Sequence, residues 1–288
     1  MVGKCQGFQG TVGIFRETWY TDKKGGKPMK LVALVENTAC RDGLAAEHGL
    51  SLYLEVENKK ILFDMGQSQA FGDNAERLGI DLSQVDLAVL SHGHYDHGGG
   101  LAHFLEINEK APVYLSTHAF GGHYNGQEKY IGLNLALKDS SRLIFVDQVT
   151  EIGKGLTLHP GMLLPVRLPI DPAGLTRREG ERFLPEDFRH EQYLLIQEGE
   201  KRILLSGCSH RGILNIAAHF QPDVLVGGFH FMKLVPEGEA VQAAAEELLR
   251  WPTQYCTCHC TGAAQYEAMK KSMGDRLQYL SAGMTLEL

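Results

Sequence analysis

The sequence predicts an α/β protein in which two sheets pack face to face with helices on the outside. Three observations carry that expectation. Short apolar runs alternate with helix-like stretches along the chain. The second half echoes the first. Strand ends in both halves carry polar, chemistry-bearing residues, most densely in SHGHYDHGGG at residues 91–100.

The runs LVALVE (31–36), SLYLEV (51–56), KILFDMG (60–66), VDLAVLSH (85–92), APVYLS (111–116), RLIFVD (142–147), YLLIQE (193–198), RILLSG (202–207) and DVLVGG (223–228) read as strands. Residues 68–78, 102–106, 212–219, 237–249 and 262–273 read as helices. EVENKKILFDMG and IQEGEKRILLSGC each set a polar turn between two strands, and QVDLAVLSHGH (84–94) is echoed by QPDVLVGGFHF (221–231). Aligning Leu62 with Leu204 and Asp86 with Asp223 keeps the halves in step within five residues. In such a sandwich the polar strand ends of both halves converge on one edge, where a ligand site would lie. Residues 158–191, rich in proline and charge and without periodicity, predict an irregular lid or insertion on a single domain spanning 1–288.

Composition excludes several classes. With 43% hydrophobic and 22% charged residues the chain reads as globular, neither disordered nor collagen-like. A net charge of -7 argues against holding nucleic acid or an anionic membrane by bulk electrostatics, with a local basic patch such as Arg177 and Arg178 left open; the expected partner is a small-molecule substrate, phosphate-bearing in one reading. The start, MVGKCQGFQGTVGIF, has no apolar signal region, and no run reaches the ~18 apolar residues of a membrane span. Cys5, Cys40, Cys208, Cys256, Cys258 and Cys260 are too few for a disulfide scaffold and read as reduced thiols in a cytoplasmic protein. Oligomeric state is left open.

The crowding of His92, His94, Asp96 and His97 after an apolar strand predicts a metal site, because imidazole and carboxylate are the natural ligands of Zn²⁺ and similar ions. In an extended turn His92 and His94 point the same way toward one ion, while Asp96 and His97, one turn on, reach a second. The glycines that follow let the backbone bend and start a helix without side-chain clash.

SHGHYDHGGG resembles the HxHxDH signature of the metallo-β-lactamase superfamily, and the resemblance extends over nearly the whole chain. It implies an αββα sandwich and one or two Zn²⁺ ions, with Mn²⁺ or Fe²⁺ as alternatives. It also implies that Asp64, ending ILFDMG, braces the metal loop from behind the ligands. His190 fits the superfamily's third-motif histidine and His259 the C-terminal one. Cys208 stands where a bridging aspartate is usual, a softer ligand than carboxylate, and His210 in GCSH is the alternative to it. GLSLYLE, GCSHRGILNI, GGFHFMK and HCTG resemble a narrower branch, the dihydropterin-forming synthases of methanopterin biosynthesis and their relatives.

The resemblance implies a metal-dependent hydrolase of phosphodiesters, esters or lactones, or a transferase that joins a dihydropterin methyl diphosphate to an arylamine and expels diphosphate. A small-molecule sensor and a di-iron redox protein are the readings from other classes. Asp96 is expected to orient the nucleophile, with His210 and His230 as further catalytic candidates and His48 as a substrate contact. His118, His123 and His159 read as surface or lid residues, Cys256, Cys258 and Cys260 as a buried strand end, and Arg177, Arg178 and Lys233 as solvated charges or, if the lid closes, phosphate partners.

Overall fold

The computed structural model describes residues 29–288, so the N-terminal reading and Cys5 lie outside the described residues. The first half contains β1 (Lys30–Val35), β2 (Ser51–Val56), β3 (Lys59–Phe63), α1 (Ala70–Arg77), β4 (Leu87–Val89), α2 (Tyr95–Gly98), α3 (Leu101–Ile107), β5 (Val113–Ser116), β6 (Gly122–Asn125), β7 (Lys129–Tyr130) and β8 (Leu143–Val146). There follow β9 (Thr150–Gly153), β10 (Leu156–Pro160), β11 (Leu175–Glu179), β12 (Arg182–Pro185), β13 (Gln192–Glu198), β14 (Lys201–Leu205), α4 (Ile213–Phe220), β15 (Val224–Gly227), α5 (Glu239–Leu248), β16 (Gln254–Thr257), α6 (Ala263–Met273), β17 (Leu277–Tyr279) and β18 (Thr285–Glu287).

Two seven-stranded sheets face each other, ordered β18-β1-β2-β3-β4-β5-β8 and β17-β16-β15-β14-β13-β10-β9. The apolar runs are continuous because both faces of each sheet are covered, with successive side chains pointing to opposite faces. Ile61 and Phe63 enter the core between the sheets with Ile203 and Leu205. Leu62 turns outward to Phe71 and Phe104 on the first helical layer, and Leu204 outward to Ile216 and Leu248 on the second. Burying each such side chain stabilises the fold by roughly 1.5–3 kcal/mol. The αββα sandwich is thus observed, with helix boundaries within two residues of those expected.

The internal echo is real at the level of hydrogen bonds. Asp86 N–H donates to Lys60 O at 2.8 Å while Lys60 N–H donates to Asp86 Oδ2 at 2.8 Å. In the other half Asp223 N–H donates to Arg202 O at 2.9 Å and Arg202 N–H to Asp223 Oδ2 at 2.7 Å. In each half a hairpin (β2-β3, β13-β14) is followed by a parallel partner (β4, β15).

The segment 158–191 is less irregular than expected. It finishes β10 and then forms the β11-β12 hairpin, which pairs with β6 and β7 in a separate four-stranded sheet. The proline-rich part, residues 160–172, lies before that hairpin, and the charged stretch TRREGERF is its two strands and turn. Among the described residues no helix is long and apolar enough to cross a membrane.

Candidate metal centre

The site lies where β3, β4, β14, β15 and β16 end. Beyond β4 the chain stays extended through His94 (φ -95°, ψ 149°) and then enters the single-turn helix α2. This brings His92, His94, Asp96 and His97 into one buried volume. Residues at or beside the site also adopt the left-handed region that favours glycine: Asp64 (φ 60°), Ser209 (φ 58°), His230 (φ 58°) and His259 (φ 50°). Such backbone strain gathers where the surrounding structure imposes a functional geometry.

Asp64 organises the loop from beneath. It accepts hydrogen bonds from Ser91 N–H (2.7 Å), Ser91 Oγ (2.7 Å) and His97 Nδ1 (2.7 Å). His92 Nδ1 donates in turn to Ser91 Oγ at 2.9 Å. The proton on each Nδ1 leaves Nε2 with its lone pair. His97 Nε2 faces Cys208 Sγ at 3.1 Å, and His92 Nε2 is buried without a protein partner.

The same logic holds across the site. His259 Nδ1 donates to Asn37 Oδ1 at 2.8 Å, so its bare Nε2 faces the Asp96 carboxylate at 3.4 Å. Two acceptors held that close in a buried place are satisfied by a proton on Nε2 or by a metal cation between them. Two buried carboxylates seat the backbone of this region. Glu36 accepts from His259 N–H (2.6 Å), and Glu191 accepts from His210 N–H (2.7 Å) and Arg211 N–H (3.0 Å).

Potential ligand atoms fall into groups within 4.8 Å of one another: Asp96, His97, Cys208 and His259; His92, Cys208 and His210; His92, His94 and Asp96; and His94, His123 and His190. Cys208 belongs to two of these, between the histidines of β4's loop and those of β14's and β16's. The donor set, imidazole with one thiol and one carboxylate, suits zinc-class ions.

Electrostatics agree. Burial pushes His92, His94, His190 and His210 well below the usual histidine range. It takes His230 and His259 down to about 4. These rings are neutral at pH 7, as ligands must be. Burial acts to raise Asp96, but the imidazoles of His259 and His48 against it outweigh that and hold it well below the carboxylate range. Burial, with Cys260 alongside, pushes the Cys208 thiol well above its ordinary value.

The profile of the family described as the metallo-beta-lactamase superfamily matches residues 45–220, spanning strand β2 through helix α4 and the whole His92–His97 loop. The chain belongs to the metallo-β-lactamase superfamily. It is 32% identical over 210 residues to an uncharacterised protein of Methanocaldococcus jannaschii, covering 69% of this chain and 78% of that one. It is 26% identical over 268 residues to the 7,8-dihydropterin-6-methyl-4-(beta-D-ribofuranosyl)-aminobenzene-5'-phosphate synthase of the same organism, covering 84% and 90%. A solved structure described as a metal-dependent hydrolase of the beta-lactamase superfamily superposes with a TM-score of 0.78 at 29% identity, covering 90% of this chain and 99% of that one.

Within this metallo-β-lactamase frame the remaining candidates fall in different places. His230 lies beside His210, ring centroids 4.3 Å apart, and half-exposed His48 reaches Asp96 Oδ2 at 3.3 Å from the rim. His123, expected at the surface, is buried against His190 with centroids 3.9 Å apart, because the pairing of β6 with β11 sets its ring among His190, His94 and Glu186. Arg177 instead pairs with Asp187 (3.1 Å), Arg178 lies over Phe183, and Lys233 Nζ donates to Ala173 O (3.0 Å). His159 packs edge-on to Phe220, away from the site. Cys256 and Cys258 fill the inter-sheet core, as expected of small polarizable side chains. Cys260 lies past the strand end in a short 3₁₀ turn, its Sγ 3.4 Å from Cys208 O. Asn37, Glu36 and Glu191 had no motif to announce them; Glu36 and Asn37 follow the end of β1, Glu191 precedes β13, and the fold brings them in.

Proposed function

We propose that this protein is a metal-dependent hydrolase of a small phosphorylated or ester substrate. In this reading His92, His94, Asp96, His97, Cys208 and His259 hold one or two zinc ions, with manganese or iron as alternatives. The observation that carries it is the bare Nε2 of His259 facing the Asp96 carboxylate, beside further buried nitrogens without protein partners. When bound, such ions supply Lewis acidity toward a phosphoryl or carbonyl oxygen and acidify a water toward a pKa of ~7.

The chain's own residues then do the rest. Asp96, ionised and partly open to solvent beside His48, orients the attacking group. His230, neutral at the rim of the same site, is placed to meet the substrate or the leaving group. Buried Asp64 keeps the His97 ring from turning during the reaction.

A second reading, displacement of diphosphate by an arylamine, is favoured by the similarity to the dihydropterin synthase over most of both chains. Purified, zinc-loaded protein assayed on phosphodiesters, esters and lactones, and in parallel on a dihydropterin methyl diphosphate with an arylamine, separates the two. A folded, metal-loaded protein without turnover on either set would leave the sensor reading standing and remove both enzyme readings.

A further inference from the structure

His190 and His210 both stand against the His92–His94 pair. The ring of His210 lies 4.9 Å from each of His92 and His94, and that of His190 lies 5.8 and 4.9 Å from them. Only one is needed as the third imidazole of a cation position there, and their hydrogen bonds tell them apart.

His190 Nδ1 accepts the backbone N–H of Gly93 at 2.9 Å. A neutral ring whose Nδ1 lone pair is taken this way carries its proton on Nε2 and has no lone pair left for a metal. The remaining nitrogen is buried without a hydrogen-bond partner, the nearest carboxylate oxygen, Glu186 Oε1, lying 3.9 Å away, so what separates the two rings is the Nδ1 lone pair that His190 gives to Gly93. Glu186 is buried, and its other oxygen accepts from His123 Nδ1 at 2.8 Å. A cation among His94, His123 and His190 would have to displace the Nε2 proton that the Gly93 hydrogen bond imposes on His190.

His210 has the opposite character. Its side chain is buried, neither ring nitrogen has a protein partner, and the ring stacks on Phe188 at 4.4 Å and 6°. Leaving both nitrogens unpaired in the interior is destabilising. The ring shares a ligand group with His92 and Cys208, which His190 does not.

We propose that His210 is a metal ligand, sharing a cation position with His92 and Cys208 beside His94, and that His190 is a positioning residue. His190 holds the Gly93 peptide that joins His92 to His94, and the third sheet, through Glu186 and His123, holds His190. This assignment rests on the metal-centre reading above.

The test uses full-length protein loaded with Co²⁺, whose uptake is measured by equilibrium dialysis and whose ligand-field absorption reports the coordination. His190→Gln keeps an acceptor for the Gly93 N–H, so uptake and spectrum should match the wild type within about twofold. His210→Gln should lose one equivalent of Co²⁺ or at least tenfold in affinity, with altered ligand-field bands. His210→Asn serves as a smaller replacement, and circular dichroism checks that each variant is folded. Loss of an equivalent in His190→Gln, or full retention in the folded His210 variants, overturns the assignment. Absence of Co²⁺ uptake by the wild type would instead overturn the metal-centre reading itself.

Discussion

His97 Nδ1 donates to Asp64 Oδ2 at 2.7 Å, in a place where neither side chain touches solvent. The contact both orients the ring and sets its proton on the side away from Cys208. Burial works to lower His97, but Asp64 outweighs it and raises the ring above its usual range.

Asp64→Asn should weaken zinc binding by roughly 10- to 100-fold, the effect typical of losing a carboxylate behind a metal-bound histidine. Asparagine is a suitable probe because it tolerates the left-handed backbone at this position (φ 60°). Zinc competition against a chromophoric chelator measures the change. An unchanged affinity would show that Asp64 braces the loop without tuning its ligands.

Cys208 is predicted to be the thiolate of the centre. In Co²⁺-loaded protein the wild type should show an intense near-ultraviolet thiolate charge-transfer band. Cys208→Ser should lose it, and Cys208→Asp should lose it while keeping the metal. Because burial holds the thiol protonated in the metal-free protein, cobalt uptake should release a proton and weaken as pH falls. A band surviving in Cys208→Ser would transfer the role to Cys260, whose sulfur lies 3.4 Å from the Cys208 carbonyl.

Metal-free protein should lose stability as pH falls from about 6.5 toward 4. His230 and His259 titrate near 4 when folded, against 6.5 as the ordinary value. Over that interval the unfolded chain binds more protons, so the imidazoles' contribution is present above pH 6.5 and is lost on acidification. His92, His94, His190 and His210 act in the same direction. His97, Glu36 and Glu191, each raised in the fold, act in the opposite one. The larger set should lower the urea midpoint between pH 7.5 and 5. A flat or rising midpoint would contradict this balance.

The sandwich and the clustering of histidines and aspartate in the loop after β4 were legible because both are local signals. Fully covered strands read as unbroken apolar runs, and four potential ligands occupy six consecutive positions. The Lys60–Asp86 and Arg202–Asp223 bonds show that even the echo between halves had a physical cause. What could not be read was set by tertiary contact. Nothing near His123 in sequence shows that pairing with β11 will set its ring against His190 and Glu186, and the difference between His190 and His210 lies in which of them accepts from the Gly93 peptide. The third sheet was hidden because its strands are short, charged and half-exposed, without the apolar runs that mark the other two.

The triple glycine leads to the last prediction. Gly99 and Gly100 have ordinary right-handed backbone (φ -62° and -75°), so the sharp bend expected of them is not their reason. Space is. A Cβ on Gly100 would lie 2.2 Å from Met65 O, and one on Gly99 would lie 2.3 Å from Gln67 O, both backbone atoms that cannot rotate away. In an isolated helix alanine would be the better residue by about 1 kcal/mol. Here the clash should reverse that, and Gly100→Ala should cost about 1–3 kcal/mol or more. The damage should also reach the ligands, because Met65 N–H donates to His97 O at 2.7 Å and a displaced Met65 drags that carbonyl with it. Thermal melting and zinc affinity should therefore fall together in Gly100→Ala. By contrast Gly79→Ala, which has open space around its positive φ of 71°, should lower the melting temperature alone. Equal zinc affinity in the wild type and Gly100→Ala would show that the tight packing supports the fold without supporting the metal loop.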